Sequence, residues 1–192
     1  MKQIYVIEHL EPSLFKWCMI EYKHISKIVG KGNLWFTNIK RKSKASNELK
    51  KYGEVIMQSV REMKLKDSCV LDPEAKETLT PQNSKKCRYF IFGGILGDYP
   101  PRKRTKKELT KFIENAKSYD IGKKQFSTDN AVFVTHEIAS GTRLQDMEFQ
   151  NKLEIKTGKY ESMILPYLYP LVNGKPNISP ELVKLIERKK GF

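Results

Sequence analysis

The sequence has few cysteines and histidines, and their spacing does not match the common metal sites. The 192 residues contain three of each: Cys18, Cys69, Cys87, His9, His24 and His136. No CxxC pair and no cysteine–histidine ligand spacing occurs, so no structural metal is expected. The cysteines lie among apolar neighbours, where a free thiol usually behaves as a small hydrophobic side chain. We therefore expect free thiols and a reducing compartment.

Long apolar runs are also missing. No stretch of 18 apolar residues occurs, and the chain does not open with a charged segment followed by an apolar one. The composition is nevertheless globular, with 39% hydrophobic residues. These features predict a soluble, cytoplasmic protein without a membrane partner.

Acidic residues are much scarcer than basic ones. The chain has 36 Lys and Arg against 22 Asp and Glu, a formal net charge of +14. Such an excess favours a polyanionic partner, most often RNA or a ribonucleoprotein, although a lysine-rich composition without a partner is the alternative. The basic segment 40–51 fits a solvated helix or loop as well as it fits nucleic-acid contact.

Apolar runs alternate with helical patterns along the chain, which predicts one α/β domain over residues 1–192 with a mostly parallel sheet. Strands are predicted at 2–10, 33–39, 54–60, 68–72 and 88–94. Helices are predicted at 12–30, with Pro12 in the first turn and Gly30 as the stop, at 104–116, with Thr105 and Glu108 in capping-box spacing, at 127–141, and from about 179. A turn is predicted at 173–176.

The strongest predicted strand ends in glycines, in the run "YFIFGGILGDYPPRKRT" at residues 89–105. Its GGxxG spacing is not GxGxxG and no GK[ST] follows, which disfavours a dinucleotide or nucleoside-triphosphate site. Two further predicted strand ends, "VLDPEA" at 70–75 and "YDIGKKQFSTDNA" at 119–131, carry turn-forming or polar residues. Ligands of open parallel sheets bind beyond such ends, so the three loops could enclose one small ligand, although a tight turn also explains the glycines.

These three loops resemble the cofactor loops of the SPOUT-class methyltransferases. The segments "VIEHLEP" and "LPYLYPLVNGKPNIS" extend the resemblance over nearly the whole chain. The most similar subgroup contains archaeal proteins described as RNA methyltransferases and a fungal enzyme that methylates an arginine of a small-subunit ribosomal protein. The resemblance implies S-adenosylmethionine as cofactor and a C-terminal trefoil knot, with the knot and cofactor loops at about 68–141 and an extension at about 142–192. The implied cofactor contacts are Leu71, Asp72, Pro73, Phe92, Gly93, Gly94, Ile95, Leu96, Gly97, Ile121, Gly122, Gln125, Phe126, Ser127 and Thr128.

The acceptor implied by the resemblance is either a ribosomal-protein arginine, which we favour, or transfer or ribosomal RNA; a non-catalytic RNA-binding domain is a third possibility. Arginine must lose a proton when it is methylated, and Glu8 or Asp98 could hold the guanidinium and take that proton. Glu8 could instead be a surface carboxylate, and Asp98 could stabilise a turn. Arg102 could support catalysis or brace the loop. Docking of RNA or of the acceptor is predicted for a basic cluster made of Arg102, Lys103, Arg104, Lys106 and Lys107. Whether the protein is a monomer or a homodimer stays open.

Overall fold

Apolar strands that alternate with helices build a parallel sheet at the centre of the molecule. A computed structural model describes residues 2–40, 42–97, 100 and 102–188. Its central strands are β1 (Ile4–His9), β2 (Leu34–Thr37), β3 (Glu54–Val55), β4 (Ser68–Leu71), β5 (Glu77–Thr78), β6 (Tyr89–Gly94) and β7 (Lys117–Asp120). They form one sheet in the order β3-β2-β1-β6-β4-β7-β5, with every neighbouring pair parallel. The predicted α/β class and parallel sheet are confirmed.

Helices cover the sheet. They are α1 (Lys16–Val29), α2 (Lys44–Leu49), α3 (Pro81–Ser84), α4 (Arg104–Glu108), α5 (Thr128–Ser140) and α6 (Pro180–Glu187). Because side chains alternate along a strand, β1 places Tyr5 and Ile7 in the core shared with α1 and α5. The same strand places Ile4 and Val6 in a second core, on the other face, with Val60. The sheet is thus buried on both faces, as its nearly unbroken apolar strands require.

A second, antiparallel sheet follows α5 and is not anticipated from the sequence, apart from its turn at 173–176. It consists of β8 (Phe149–Lys156), β9 (Ser162–Val172) and β10 (Lys175–Pro176) in the order β10-β9-β8. Leu165 and Tyr169 of this sheet form a third core with Ile186 of α6 and Ile20 of α1. The sheet is therefore packed onto the main domain through α1.

Three predicted element boundaries are wrong. Helix α1 begins at Lys16, not near Pro12, although Gly30 ends it as predicted, at a φ of 78°. The helix predicted over 104–116 is only five residues long. Its N-cap residue is Lys103, so the predicted cap Thr105 lies inside the helix and no side-chain cap forms. The strand predicted at 54–60 shrinks to the two residues of β3.

The expectation of free thiols is wrong for two of the three cysteines. Cys69 and Cys87 form a disulfide, with their Cα atoms 5.7 Å apart, whereas Cys18 is free and buried. The pair is brought together because β4, which contains Cys69, lies beside β6, which begins just after Cys87. This pairing depends on the strand order and could not be inferred from cysteine spacing.

Within the described ranges, none of the helices is long and apolar enough to cross a membrane. The same residues contain no group of three or more His, Cys, Asp or Glu that could hold a metal ion.

Thiol chemistry tests the disulfide directly. In denaturant without reductant, we expect a thiol reagent to detect one free cysteine, and three after reduction. Reduction should also lower the free energy of unfolding by about 3 kcal/mol, because the crosslink closes a loop of 18 residues and restricts the unfolded chain. The Cys18→Ala variant is the control: it should show no free thiol before reduction. Three thiols in the unreduced wild-type protein would contradict the pairing.

Candidate functional site

Three loops enclose a cavity of about 210 Å³ at the carboxyl ends of β4, β6 and β7. These strands are neighbours in the sheet, so their carboxyl ends meet at one edge. The lining consists of Leu71, Asp72, Pro73, Glu74, Phe92, Gly93, Ile95, Gly97, Arg102, Lys103, Arg104, Thr105, Ile121, Gly122, Lys123, Lys124, Gln125, Phe126, Thr128 and Ala131. This is the position at which parallel α/β sheets usually bind ligands.

Most of the cofactor residues implied by the resemblance line this cavity; Gly94, Leu96 and Ser127 do not. Gly94 faces α1, where an added Cβ would lie 2.3 Å from the hydroxyl of Tyr22. The backbone N–H of Leu96 donates to Glu11 at 3.0 Å. The Ser127 hydroxyl donates to Asp129 at 2.6 Å. These three residues shape the loops from behind the cavity wall.

Two buried aspartates hold the first and third loops. Asp72 accepts the backbone N–H of Glu74 at 2.9 Å and the hydroxyl of Thr110 at 2.6 Å. Asp120 accepts the N–H of Gly122 at 2.9 Å, where the chain turns at a φ of 103°. Burial opposes ionisation of Asp120, but hydrogen bonds, chiefly from Lys123, outweigh it and lower its pKa. The loops are therefore ordered by their own side chains.

The basic cluster divides at the cavity. Arg102, Lys103 and Arg104 line it, whereas Lys106 and Lys107 are exposed on α4 outside the lining. Lys103 and Arg104 form ion pairs with acidic side chains. Lys103 binds Glu74 at 2.7 Å.

The Arg104 guanidinium lies between two carboxylates. It binds Glu11 and Glu108 at 2.7 Å each. Hydrogen bonding to Glu108, and next to Glu11, raises the pKa of Arg104 against the opposing effect of burial. Because Glu11 also accepts the N–H of Leu96, this ion-pair network connects α4 to the glycine loop.

Glu8 lies outside the lining and is completely buried. It accepts hydrogen bonds from the hydroxyls of Thr37 and Ser59, both at 2.5 Å, and from the N–H of Val60 at 3.0 Å. Glu8 is thus not a surface carboxylate, and its catalytic role stays a prediction. The other candidate base, Asp98, lies outside the described residues.

His9 has a structural role between the sheet and α1. Its Nδ1 shares a hydrogen bond of 2.8 Å with the hydroxyl of Tyr22 on α1. Burial is the main reason why its pKa is lowered. The neutral ring therefore suits a position in the seam between the sheet and α1.

The sequence alone did not single out Glu74, Thr105, Lys123, Lys124 and Ala131 as lining residues. Ala131 follows Thr128 by three positions on α5, so helical spacing could have indicated it. Lys123 and Lys124 stand inside the quoted third loop, but their charge did not suggest contact with a largely neutral ligand.

The protein has a parallel α/β sheet, with glycine-containing loops around a cavity at its carboxyl edge. These features are those of an α/β enzyme of the expected SPOUT type. The chain belongs to the SFM1-like protein arginine N-methyltransferase family, which it matches over residues 4–191. It is therefore a methyltransferase.

Individual relatives agree with this assignment. Protein arginine N-methyltransferase SFM1 of Saccharomyces cerevisiae is 33% identical over 200 residues, with 96% of this chain and 94% of the yeast protein covered. The crystal structure of the yeast enzyme complexed with SAM superimposes with a TM-score of 0.88 at 30% identity, covering 98% of this chain and 91% of that one. The complex with SAH gives a TM-score of 0.86 at 30% identity, over 95% and 94%.

Replacing Glu8 tests whether it is structural. We expect Glu8→Gln to lower the free energy of unfolding by about 2 kcal/mol in urea titrations, because three buried donors lose a charged acceptor. Glu62→Gln, at an exposed carboxylate, is the matched control and should change it by less than about 0.5 kcal/mol. If Glu8→Gln instead leaves stability and binding of S-adenosylmethionine unchanged but abolishes methyl transfer, Glu8 takes part in the reaction.

Proposed function

We propose that this protein transfers a methyl group from S-adenosylmethionine to an arginine of a ribosomal protein. The observation that carries this proposal is the convergence of three loops on one cavity in a chain of the SFM1-like family. Yeast SFM1 has been crystallised with SAM and SAH, which supports the same cofactor here.

The cavity residues fit that cofactor. Leu71, Phe92 and Ile121 offer apolar contact to an adenine ring, while Gly93 and Gly97 let the backbone approach the ligand closely. Arg102 and Lys103, at the same cavity, suit the carboxylate of its methionine portion. When bound, the cofactor supplies an electrophilic methyl group on a sulfonium; positioning of the acceptor by the chain is then the main requirement.

An acceptor arginine must enter a strongly basic protein. Around the cavity, however, the carboxylates of Glu74, Glu11 and Asp120 balance Lys103, Arg104 and Lys123 in short ion pairs. The local charge is thus far less positive than the overall value of +14 suggests. Glu11 and Glu108 are both paired with Arg104, so they neutralise its charge next to the cavity.

RNA is the second candidate acceptor, and the exposed lysines favour it. Lys106 and Lys107 follow the cavity-lining residues on α4 and are open to solvent, where they could neutralise phosphates. With a ribosomal-protein acceptor, the same lysines would contact ribosomal RNA near the modified protein.

Methyl transfer to ribosomes distinguishes the two acceptors. Purified protein is incubated with radiolabelled S-adenosylmethionine and ribosomes, which are then separated into protein and RNA. We expect label in one small-subunit protein, released as methylarginine on acid hydrolysis. Label in the RNA fraction would show that the acceptor is RNA and not a ribosomal protein. No label in either fraction would contradict the proposal.

Charge removal tests the docking role of α4. We expect the double variant Lys106→Gln/Lys107→Gln to raise KM for ribosomes about threefold to tenfold and to weaken its salt dependence, with little change in kcat. The control is Lys85→Gln/Lys86→Gln, which removes the same charge from exposed residues. These residues precede β6 and so lie at the amino ends of the strands, opposite the cavity. Equal effects of the two pairs would indicate that only net charge matters.

A further inference from the structure

The antiparallel sheet is hydrogen-bonded to two of the three cavity loops. The hydroxyl of Tyr167 on β9 donates to the backbone carbonyl of Gly97 at 3.0 Å. The next residue, Leu168, donates its N–H to the carbonyl of Gln125 at 2.9 Å. Gly97 and Gln125 both line the cavity, so β9 directly supports its wall.

Strand β8 adds side-chain contacts to the third loop. The ring of Phe149 packs edge-on against Phe126, with centroids 5.8 Å apart. Asn151 accepts a hydrogen bond from the Lys124 ammonium at 2.8 Å. The antiparallel sheet therefore holds this loop through backbone, aromatic and polar contacts.

Gly97 lies at the meeting point of the second loop, the third loop and β9. A Cβ atom added there would come within 2.7 Å of the Tyr167 ring and its hydroxyl, and within 2.6 Å of the Gln125 side-chain amide. The end of the Gln125 side chain could move away, whereas the ring of Tyr167 is partly buried against the third core. Space at Gly97 is therefore set by Tyr167.

We propose that Tyr167 is a positioning residue for methyl transfer: its hydroxyl fixes the Gly97 carbonyl and thereby the shape of the cavity wall. This role rests on the proposed function. Gly97 lines the cavity, so a displaced Gly97 would alter both the binding of the cofactor and the position of its methyl group. Displacements of about 1 Å are enough to slow an enzyme strongly, on the order of a hundredfold.

Removing one oxygen atom tests the proposal. We expect Tyr167→Phe to bind S-adenosylhomocysteine about fivefold more weakly by calorimetry, which corresponds to one lost hydrogen bond. We expect kcat to fall about tenfold while KM for ribosomes stays within about twofold. A purely structural tyrosine would lower the melting temperature without this division between kcat and KM.

The matched control is Tyr169→Phe, which removes the same atom two residues further along β9, where the ring is buried against α6. It should leave kcat and binding of S-adenosylhomocysteine unchanged. Equal behaviour of Tyr167→Phe and wild type would overturn the positioning role alone. Failure of the wild-type protein to bind S-adenosylhomocysteine would overturn the proposed function, and this role with it.

A double-mutant cycle tests the contact itself. Gly97→Ala should weaken binding of S-adenosylhomocysteine more than tenfold, because the new methyl group collides with the tyrosine ring. Tyr167→Leu removes the tyrosine ring. The loss of affinity in the double variant should therefore be clearly smaller than the product of the two single losses. Losses that multiply would show that Tyr167 does not set the position of Gly97.

Discussion

Lack of space at the carboxyl end of β6 determines how closely the surrounding elements pack. Gly94 has no room for a side chain, because Tyr22 of α1 and Ile7 of β1 lie within 3 Å of its Cβ position. Three residues later, Gly97 is enclosed by Tyr167 and Gln125. The glycines therefore let α1 sit directly on the sheet and let the antiparallel sheet reach the cavity. The same strand end also forms one part of the cavity wall.

Charge is organised locally, against the overall excess of basic residues. Lys103 and Arg104 stand at the cavity, but each is in an ion pair with acidic side chains of the chain itself. Such pairs add modestly to stability when exposed; their effect here is to lower the positive field. The lysines further along α4 are exposed and extend that field away from the cavity. A nearly neutral part and a strongly basic part of one segment therefore lie next to each other.

The elements that could be predicted are those whose own residues determine them. The run that forms β6 is apolar throughout, and Gly30 and Gly141 end their helices with positive φ angles. Strand β8 was missed because most of its residues are exposed, so its sequence lacks the apolar pattern of a buried strand. The two cysteines of the disulfide are 18 residues apart, and Tyr167 and Gly97 are 70 residues apart. The strand order brings the cysteines together, whereas packing of the antiparallel sheet on the main domain brings Tyr167 to Gly97.

The antiparallel sheet shapes the cavity wall together with the three loops that line it. Asp72 and Asp120 hold the first and third loops from within the parallel sheet, but the wall between Gly97 and Gln125 is held by β9. The antiparallel sheet is in turn fixed to α1 through the core around Ile20. Helix α1 also closes on Gly94, at the other side of the same loop. A change in any of these contacts would displace the glycine loop, either from the side of α1 or from the side of β9, and would thereby alter the cavity.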